Sequence, residues 1–169
     1  MVVGGPLLLL ASRVKLFVMD CDGVLTDGRL YFSANGEAMK VFNVRDGQGI
    51  VNWHRAGFSS GIISGRKSDA ILKARADELE IKYIRAGSKN KTADFAEIIA
   101  DAGVAAEEAA YIGDDIPDIP LMNIVGFPVA VADAVPEVIE AAAYVTKAKG
   151  GEGAVREVID LLLSAKAES

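Results

Sequence analysis

Cysteine is nearly missing from this chain. Cys21 stands alone, so no internal disulfide can form, and the sequence fits a reducing compartment. Long apolar runs are missing as well. No stretch is long enough to span a bilayer. The N-terminal MVVGGPLLLLASR has a short apolar run with no basic residue before it, interrupted by Gly4, Gly5 and Pro6. Residues 1–13 therefore read as a loose or packed extension and not as a signal peptide. Basic charge is also scarce: 18 Lys and Arg face 24 Asp and Glu, a net charge of −6. That argues against broad nucleic-acid contact, where a basic face is expected. It leaves room for a small anionic substrate, because a local cluster of Lys, Arg and metal can dominate a site. Repeats, low-complexity tracts and interdomain linkers are lacking. What is present, 51% hydrophobic and 25% charged residues in a chain of 169, is the composition of one globular domain over residues 14–169.

Short apolar runs alternate with helical patterns. Strands are expected at Val14–Met19, Phe58–Ile63, Lys82–Ile84, Ala109–Ile112, Val129–Val131 and Tyr144–Val145. Helices are expected at Ile50–Ala56, Ala70–Leu79, Thr92–Ala102 (closed by Gly103), Ile119–Ile124, Val135–Ala142 and Ala154–Leu163. This alternation predicts an α/β fold, a three-layer, doubly wound, Rossmann-like parallel sheet with right-handed crossovers. The segment RLYFSANGEAMKVFN breaks the rhythm. Two extended runs flank Asn35-Gly36, a strong hairpin signal, so a β-hairpin at about residues 29–43 is expected to project from the carboxyl edge of the sheet. Ligands bind at that edge in open α/β sheets.

Four pieces of chemistry follow the chain. In VKLFVMDCDGVLTDG, Asp20, Asp22 and Asp27 crowd the end of an apolar strand, where like charges repel and a carboxylate is costly without a partner. Asp20 and Asp22, two apart, can turn toward one crevice: one to attack phosphorus, the other to protonate the leaving oxygen and later activate water. A turn-forming Asp pair reads the same way. In GIISGRKSD, Ser64 ends a strand, Gly65 lets backbone approach a ligand and Ser68 can cap the next helix, an arrangement suited to a phosphoryl oxygen but also to an ordinary strand–turn–helix junction. Lys91 opens a helix, against the dipole unless an anion is near; a solvated lysine is the plain alternative, and the better one for Lys89. In AAYIGDDIPDIPLM, Asp114 and Asp115 end a strand and Asp118 lies on the next turn. Mg²⁺ prefers oxygen ligands, a carboxylate or two with waters and substrate phosphate, and Asp20 with Asp114 would supply them.

DxDGVxT after the first strand, Ser after the second, Lys before a helix and GDDxxD later together resemble haloacid dehalogenase-type phosphatases. The resemblance implies that Asp20 is the nucleophile and Asp22 the acid/base, with Ser64 and Lys91 holding the transferring phosphoryl group. It further implies Mg²⁺ on Asp20, the backbone carbonyl of Asp22 and Asp114, with Asp115 orienting a metal-bound water or Lys91.

The intervals between Gly23 and Ser64 and between Gly65 and Lys91 are too short for a separate cap domain, so the mouth must be filled by the substrate or lidded by a neighbouring chain. The hairpin side chains Leu30, Tyr31, Phe32, Met39, Val41 and Phe42 form a plausible assembly surface. Beyond the shared motifs, KVFNVRDGQGI, SGRKS and GGEGAVREVIDLLL resemble the 3-deoxy-D-manno-octulosonate 8-phosphate phosphatases from Val14 to Leu163. That resemblance implies hydrolysis of the sugar phosphate, a cytoplasmic step in lipopolysaccharide synthesis, by a homotetramer whose hairpins meet at its centre. It implies no membrane or nucleic-acid partner. Substrate contacts are then expected from Asp22, Asn43, Arg45, Asp46, Gly47, Gly65, Arg66, Arg75 and Lys91. Arg75 also stands out by itself, on the inward stripe of its helix with Ile71 and Leu79, where a cation should meet an anion or another chain unless it snorkels. Lys67 reads as solvated, and His54, Trp53 and Cys21 need no role beyond packing. The segment at about residues 147–169 holds one departure. Glu152 stands where family members often carry Arg, as in relatives acting on nine-carbon sugar acid 9-phosphates. Those relatives tend to carry Glu in place of Arg66, so Arg66 favours the eight-carbon substrate. A non-catalytic binding or assembly module is the reading from another class, and the joint presence of Asp20, Asp22, Lys91 and Asp114 weighs against it.

Overall fold

A computed structural model describes residues 5–67 and 69–168. Residues 1–4 of the extension and Ser68, the cap expected after Ser64, lie outside the described residues. Six strands form one parallel sheet: β1 (Leu16–Met19), β4 (Ser59–Ser64), β5 (Tyr83–Ala86), β6 (Ala109–Gly113), β7 (Phe127–Ala130) and β8 (Tyr144–Val145), in the order β5-β4-β1-β6-β7-β8. The strands β1, β4 and β6 are buried along nearly their whole length, as a sheet covered on both faces requires. Helices α2 (Val44–Arg55) and α3 (Asp69–Glu78) follow strands that step one way across the sheet. Helices α4 (Lys91–Ala102), α5 (Ile119–Met122) and α6 (Pro136–Ala141) follow the return. Right-handed crossovers put the two groups on opposite faces. The final helix α7 (Ala154–Ala167) packs on α2 and on α1 (Gly5–Arg13), completing the first face.

Chain direction reverses at β1, whose neighbours are β4 and β6. Met19 is level with Ile62 and Ile112, so Asp20, Ser64 and Asp114 emerge side by side at the carboxyl edge, the place where such sheets bind ligands. After Asp20 the chain makes one wide turn over Cys21–Leu25, with Gly23 at φ 90° and the Thr26 amide donating to the Cys21 carbonyl at 3.1 Å. The hairpin then projects: β2 (Tyr31–Ser33) pairs with β3 (Gly36–Met39). Its turn residues are Ala34 and Asn35, and the left-handed position falls on Gly36, φ 105°. The positive φ thus follows the two turn residues, so the turn is one residue out of phase with the expected Asn-Gly turn. Among the described residues no cap domain is inserted.

Helix α2 begins at Val44, ahead of the expected Ile50, because Asn43 accepts a hydrogen bond from the Arg45 amide at 2.8 Å and so caps the earlier turn. Its glycines serve packing. A Cβ on Gly47 would lie 2.4 Å from the Arg75 guanidinium, and one on Gly49 would lie 3.0 Å from Arg156.

Candidate active site

Asp20, Asp22, Gly65, Arg66, Lys91, Asp114, Asp115, Pro117 and Asp118 line a cleft of about 200 Å³ at the carboxyl edge. A larger hollow of about 390 Å³, lined by Val51, His54, Arg55, Glu78, Leu79 and Glu80, lies between α2 and α3 and gathers no such set of carboxylates and cations. The smaller cleft carries the chemistry.

Asp20 is buried, and one of its oxygens accepts from the Cys21 amide at 2.8 Å. Lys91 Nζ lies 3.0 Å from Asp20, 2.7 Å from Asp118 and 3.2 Å from the Tyr111 hydroxyl. Burial works against the lysine's charge, but Asp20 and Asp118 outweigh it and hold its pKa above the ordinary value. Burial likewise pushes the Asp20 carboxyl up to about 6; Lys91 opposes this without cancelling it, and Asp118 adds to it. Asp114 goes further, to about 8, through burial and then repulsion from Asp20 and Asp118. One carboxylate oxygen from each of Asp20, Asp114 and Asp118 lies within 4.8 Å of the others.

The three carboxylates are not equivalent. Both Asp118 oxygens are engaged. Oδ1 accepts from Lys91 and from the Tyr111 hydroxyl at 2.6 Å, and Oδ2 accepts from the amides of Asp114 (3.0 Å) and Asp115 (3.3 Å). Asp114 Oδ1 is buried without a partner. Gly23 lets that carboxylate come against the Asp22 loop, since a Cβ there would lie 2.0 Å from Asp114 Oδ2. Hard oxygen donors that repel one another and hold an unpaired buried oxygen fit Mg²⁺, and Asp20 and Asp114 are the pair free to hold it.

Asp22 lines the same cleft with Oδ1 paired to the Lys40 ammonium. Lys40 also bonds Glu37 Oε1 at 2.8 Å, and Glu37 Oε2 lies 3.5 Å from Arg66. Ser64 is buried at the end of β4, its hydroxyl accepting from the Arg66 amide at 3.3 Å. Arg66 faces the cleft with its Nε buried and unpartnered.

Several expected contacts are elsewhere in the protomer. Asp115 lines the cleft but spends its carboxylate on the Ile116 amide at 2.8 Å; Asp118, assigned no role from sequence, holds Lys91 instead. The local capping need of the turn at Ile116–Asp118 explains the exchange. Asp46 is buried, with Oδ1 accepting from the Arg156 amide at 2.8 Å in the first turn of α7 and Oδ2 left without a partner. The Asn43 side chain is committed to capping α2 and to the Gly151 carbonyl at 3.2 Å. Gly47 is buried beneath Arg75, and Arg45 is exposed in the first turn of α2. Arg75 meets an anion, but within its own helix: Glu78 at 2.7 Å, with Phe42 beneath its guanidinium at 5.7 Å. Gly150 and Gly151 pack on Gly23–Asp27, behind the loop that carries Asp22, and Glu152 is exposed. Lys40, Glu37 and Tyr111 had no assigned role. The signal for Lys40 was a lone cation inside the apolar run AMKVF.

A model of the haloacid dehalogenase-like hydrolases matches residues 70–159. The chain is 44% identical over 164 residues to the 3-deoxy-D-manno-octulosonate 8-phosphate phosphatase of Escherichia coli K12, covering 97% of this chain and 87% of that one. The crystal structure of the corresponding phosphatase from Yersinia pestis superposes with a TM-score of 0.95 at 42% identity, covering 98% of this chain and 89% of that chain. The Moraxella catarrhalis phosphatase, crystallised with magnesium, phosphate and 3-deoxy-D-manno-octulosonate, superposes at 0.93 with 35% identity over 98% and 95% of the two chains. With this cleft, this fold and these relatives, the chain belongs to the haloacid dehalogenase-like hydrolases and is a phosphatase of phosphoric monoesters.

Proposed function

We propose that this phosphatase, with Mg²⁺, hydrolyses 3-deoxy-D-manno-octulosonate 8-phosphate to 3-deoxy-D-manno-octulosonate and inorganic phosphate, in the cytoplasm, as a step of lipopolysaccharide synthesis. The observation that carries it is the convergence of Asp20, Asp22, Lys91 and Asp114 on one cleft in a chain 44% identical to that phosphatase. Asp20 attacks phosphorus, the bond to the sugar oxygen breaks, and Asp22 gives that oxygen its proton. Water then attacks the aspartyl-phosphate, and Asp22 takes up the proton released. Lys91 offsets charge on Asp20 and on the phosphoryl oxygens, while Ser64 and the backbone at Gly65 face the transferring group. Asp20, the Asp22 carbonyl and Asp114 would hold Mg²⁺, which would supply positive charge to the phosphoryl oxygens.

Arg66, with an unpartnered buried Nε on the cleft, suits the carboxylate that both sugar acids carry; an arginine here, where nine-carbon-acting relatives tend to carry Glu, supports the eight-carbon substrate, and Glu152 lies outside the cleft lining. The apolar hairpin supports a homotetramer: Leu30, Phe32, Met39 and Val41 are all exposed. A neighbour's Arg45 and Arg75, outside their own protomer's cleft, are the charges it would bring to the sugar. Phosphate release from a panel of sugar phosphates tests the substrate, with the 8-phosphate expected to exceed the nine-carbon 9-phosphate. Asp20→Asn, which keeps the shape and removes the nucleophile, should abolish release while the thermal transition stays cooperative. Turnover near the parent rate in that variant would overturn the mechanism.

A further inference from the structure

We infer that Lys40 is a positioning residue for Asp22: it holds one carboxylate oxygen so that the other is the atom that exchanges a proton with the leaving group. The inference rests on Asp22 being the acid/base.

Lysine is almost never fully buried unless paired, yet the Lys40 side chain is 1% exposed at the end of a two-stranded hairpin. Its ammonium meets Asp22 Oδ1 and Glu37 Oε1, and Glu37 continues to Arg66. The result is a chain of alternating charge, Asp22, Lys40, Glu37, Arg66, in which both ends line the cleft and both middle members come from the hairpin. Buried ion pairs are weak stabilisers, since well-packed apolar residues often serve as well. A lysine placed here is better explained by what it fixes. With Oδ1 taken, Asp22 Oδ2 is buried and unpartnered. In the first step the Oδ2–H bond breaks as its proton passes to the ester oxygen, which keeps the electron pair of the breaking P–O bond while the Asp20–phosphorus bond forms. In the second, Oδ2 accepts a proton from the attacking water. A carboxyl group free to rotate about its last bond would present either oxygen, and general acid catalysis depends on reach and alignment.

The experiment uses the full-length protein with Mg²⁺ and two small monoesters that need no sugar pocket. p-Nitrophenyl phosphate releases a stable aryl oxide with little need for a proton, whereas glycerol phosphate releases an alkoxide that needs one. Lys40→Met should lower kcat/KM, which reports departure of the leaving group and leaves out the shared hydrolysis of the aspartyl-phosphate, about 10- to 100-fold on glycerol phosphate, part of the roughly 10²–10⁴-fold that a general acid supplies, and change it about threefold or less on p-nitrophenyl phosphate. Asp22→Asn should show the same alkyl-selective loss more strongly, and adding Lys40→Met to it should cost little more. Lys40→Gln keeps a donor for Oδ1 and should fall between; it is read alone where Lys40→Met does not fold. An unchanged alkyl-to-aryl ratio in either folded variant, whether both rates fall together or neither falls, overturns the inference. An unchanged ratio in Asp22→Asn would instead sink the acid/base reading on which it rests.

Discussion

Asp20 and Asp114 repel each other at the end of β1 and β6, and the chain supplies one cation, Lys91, to a cluster of three carboxylates. Lys91 is bonded to Asp118, so Asp114 is left to hold a proton or a metal. This has a pH signature in the metal-free protein. An unfolded aspartate titrates near 3.8, whereas folding raises Asp20 to about 6 and Asp114 to about 8. The folded state therefore binds more protons across that window, so stability is highest below the unfolded value and is lost as pH rises through 6 to 8. Mg²⁺ competes with those protons and should reverse the trend. We expect Mg²⁺ to raise the melting temperature by several degrees at pH 8 and by little at pH 5. Differential scanning calorimetry at both pH values, with Mg²⁺ and with chelator, checks this; equal stabilisation at the two would show that neither carboxylate binds the ion. Asp114→Asn should remove most of the pH dependence.

Helices α2 and α7 pack together, and one buried carboxylate bridges them. Asp46 from α2 caps the first turn of α7 by accepting from the Arg156 amide at 2.8 Å. The glycine-rich turn before α7 offers no side-chain cap of its own. Asp46→Ala should cost about 1–3 kcal/mol, a lost cap together with an amide left unpaired. Because Gly150 and Gly151 back the Asp22 loop, the loss should appear in urea melts and also as lower kcat on alkyl phosphates. Unaltered stability would return Asp46 to the substrate role its motif implies. This residue marks the boundary of what sequence reveals. The sheet strands were legible because burial on both faces writes them as unbroken apolar runs, LFVM and AAYI among them. Asp20, Asp22, Lys91 and Asp114 were legible because four short motifs in order resemble those of a known phosphatase family, where each motif alone left an ordinary turn or surface reading open. The start of α2 was obscured by Gly47 and Gly49, which weaken a helix signal and are kept for the close approach of Arg75 and Arg156. Asp46 and Lys40 were obscured for another reason: their partners, Arg156 and Asp22, are set by tertiary packing that no local pattern records.

For the whole molecule the question is what closes the cleft. The sheet carries no cap, and the hairpin, the insertion nearest the mouth, shows water an apolar outer face, with Leu30, Met39 and Val41 each about half exposed (47%, 48% and 50%). Its inner face is tied down through Lys40 and Glu37, so the hairpin is held in place and not merely loose. Tyr31 and Phe42, by contrast, are partly buried, Phe42 against the core and beneath Arg75, which makes them poor probes of assembly. Phe32 is exposed but lies under Arg66 at 5.8 Å, so changing it would disturb the cleft directly. Leu30→Glu with Met39→Glu places charge on the outer face alone. Like charges brought together around a symmetric axis should split a closed oligomer, and light scattering should show the mass fall from that of a tetramer to a smaller species. If a neighbour supplies charge to the sugar and helps exclude water, as proposed, activity on the sugar phosphate should drop about tenfold or more. p-Nitrophenyl phosphate, which needs only the cleft of one protomer, should be hydrolysed at close to the parent rate. A fully active monomer on the sugar phosphate would mean that the hairpin closes its own site, and that its apolar face serves some other contact.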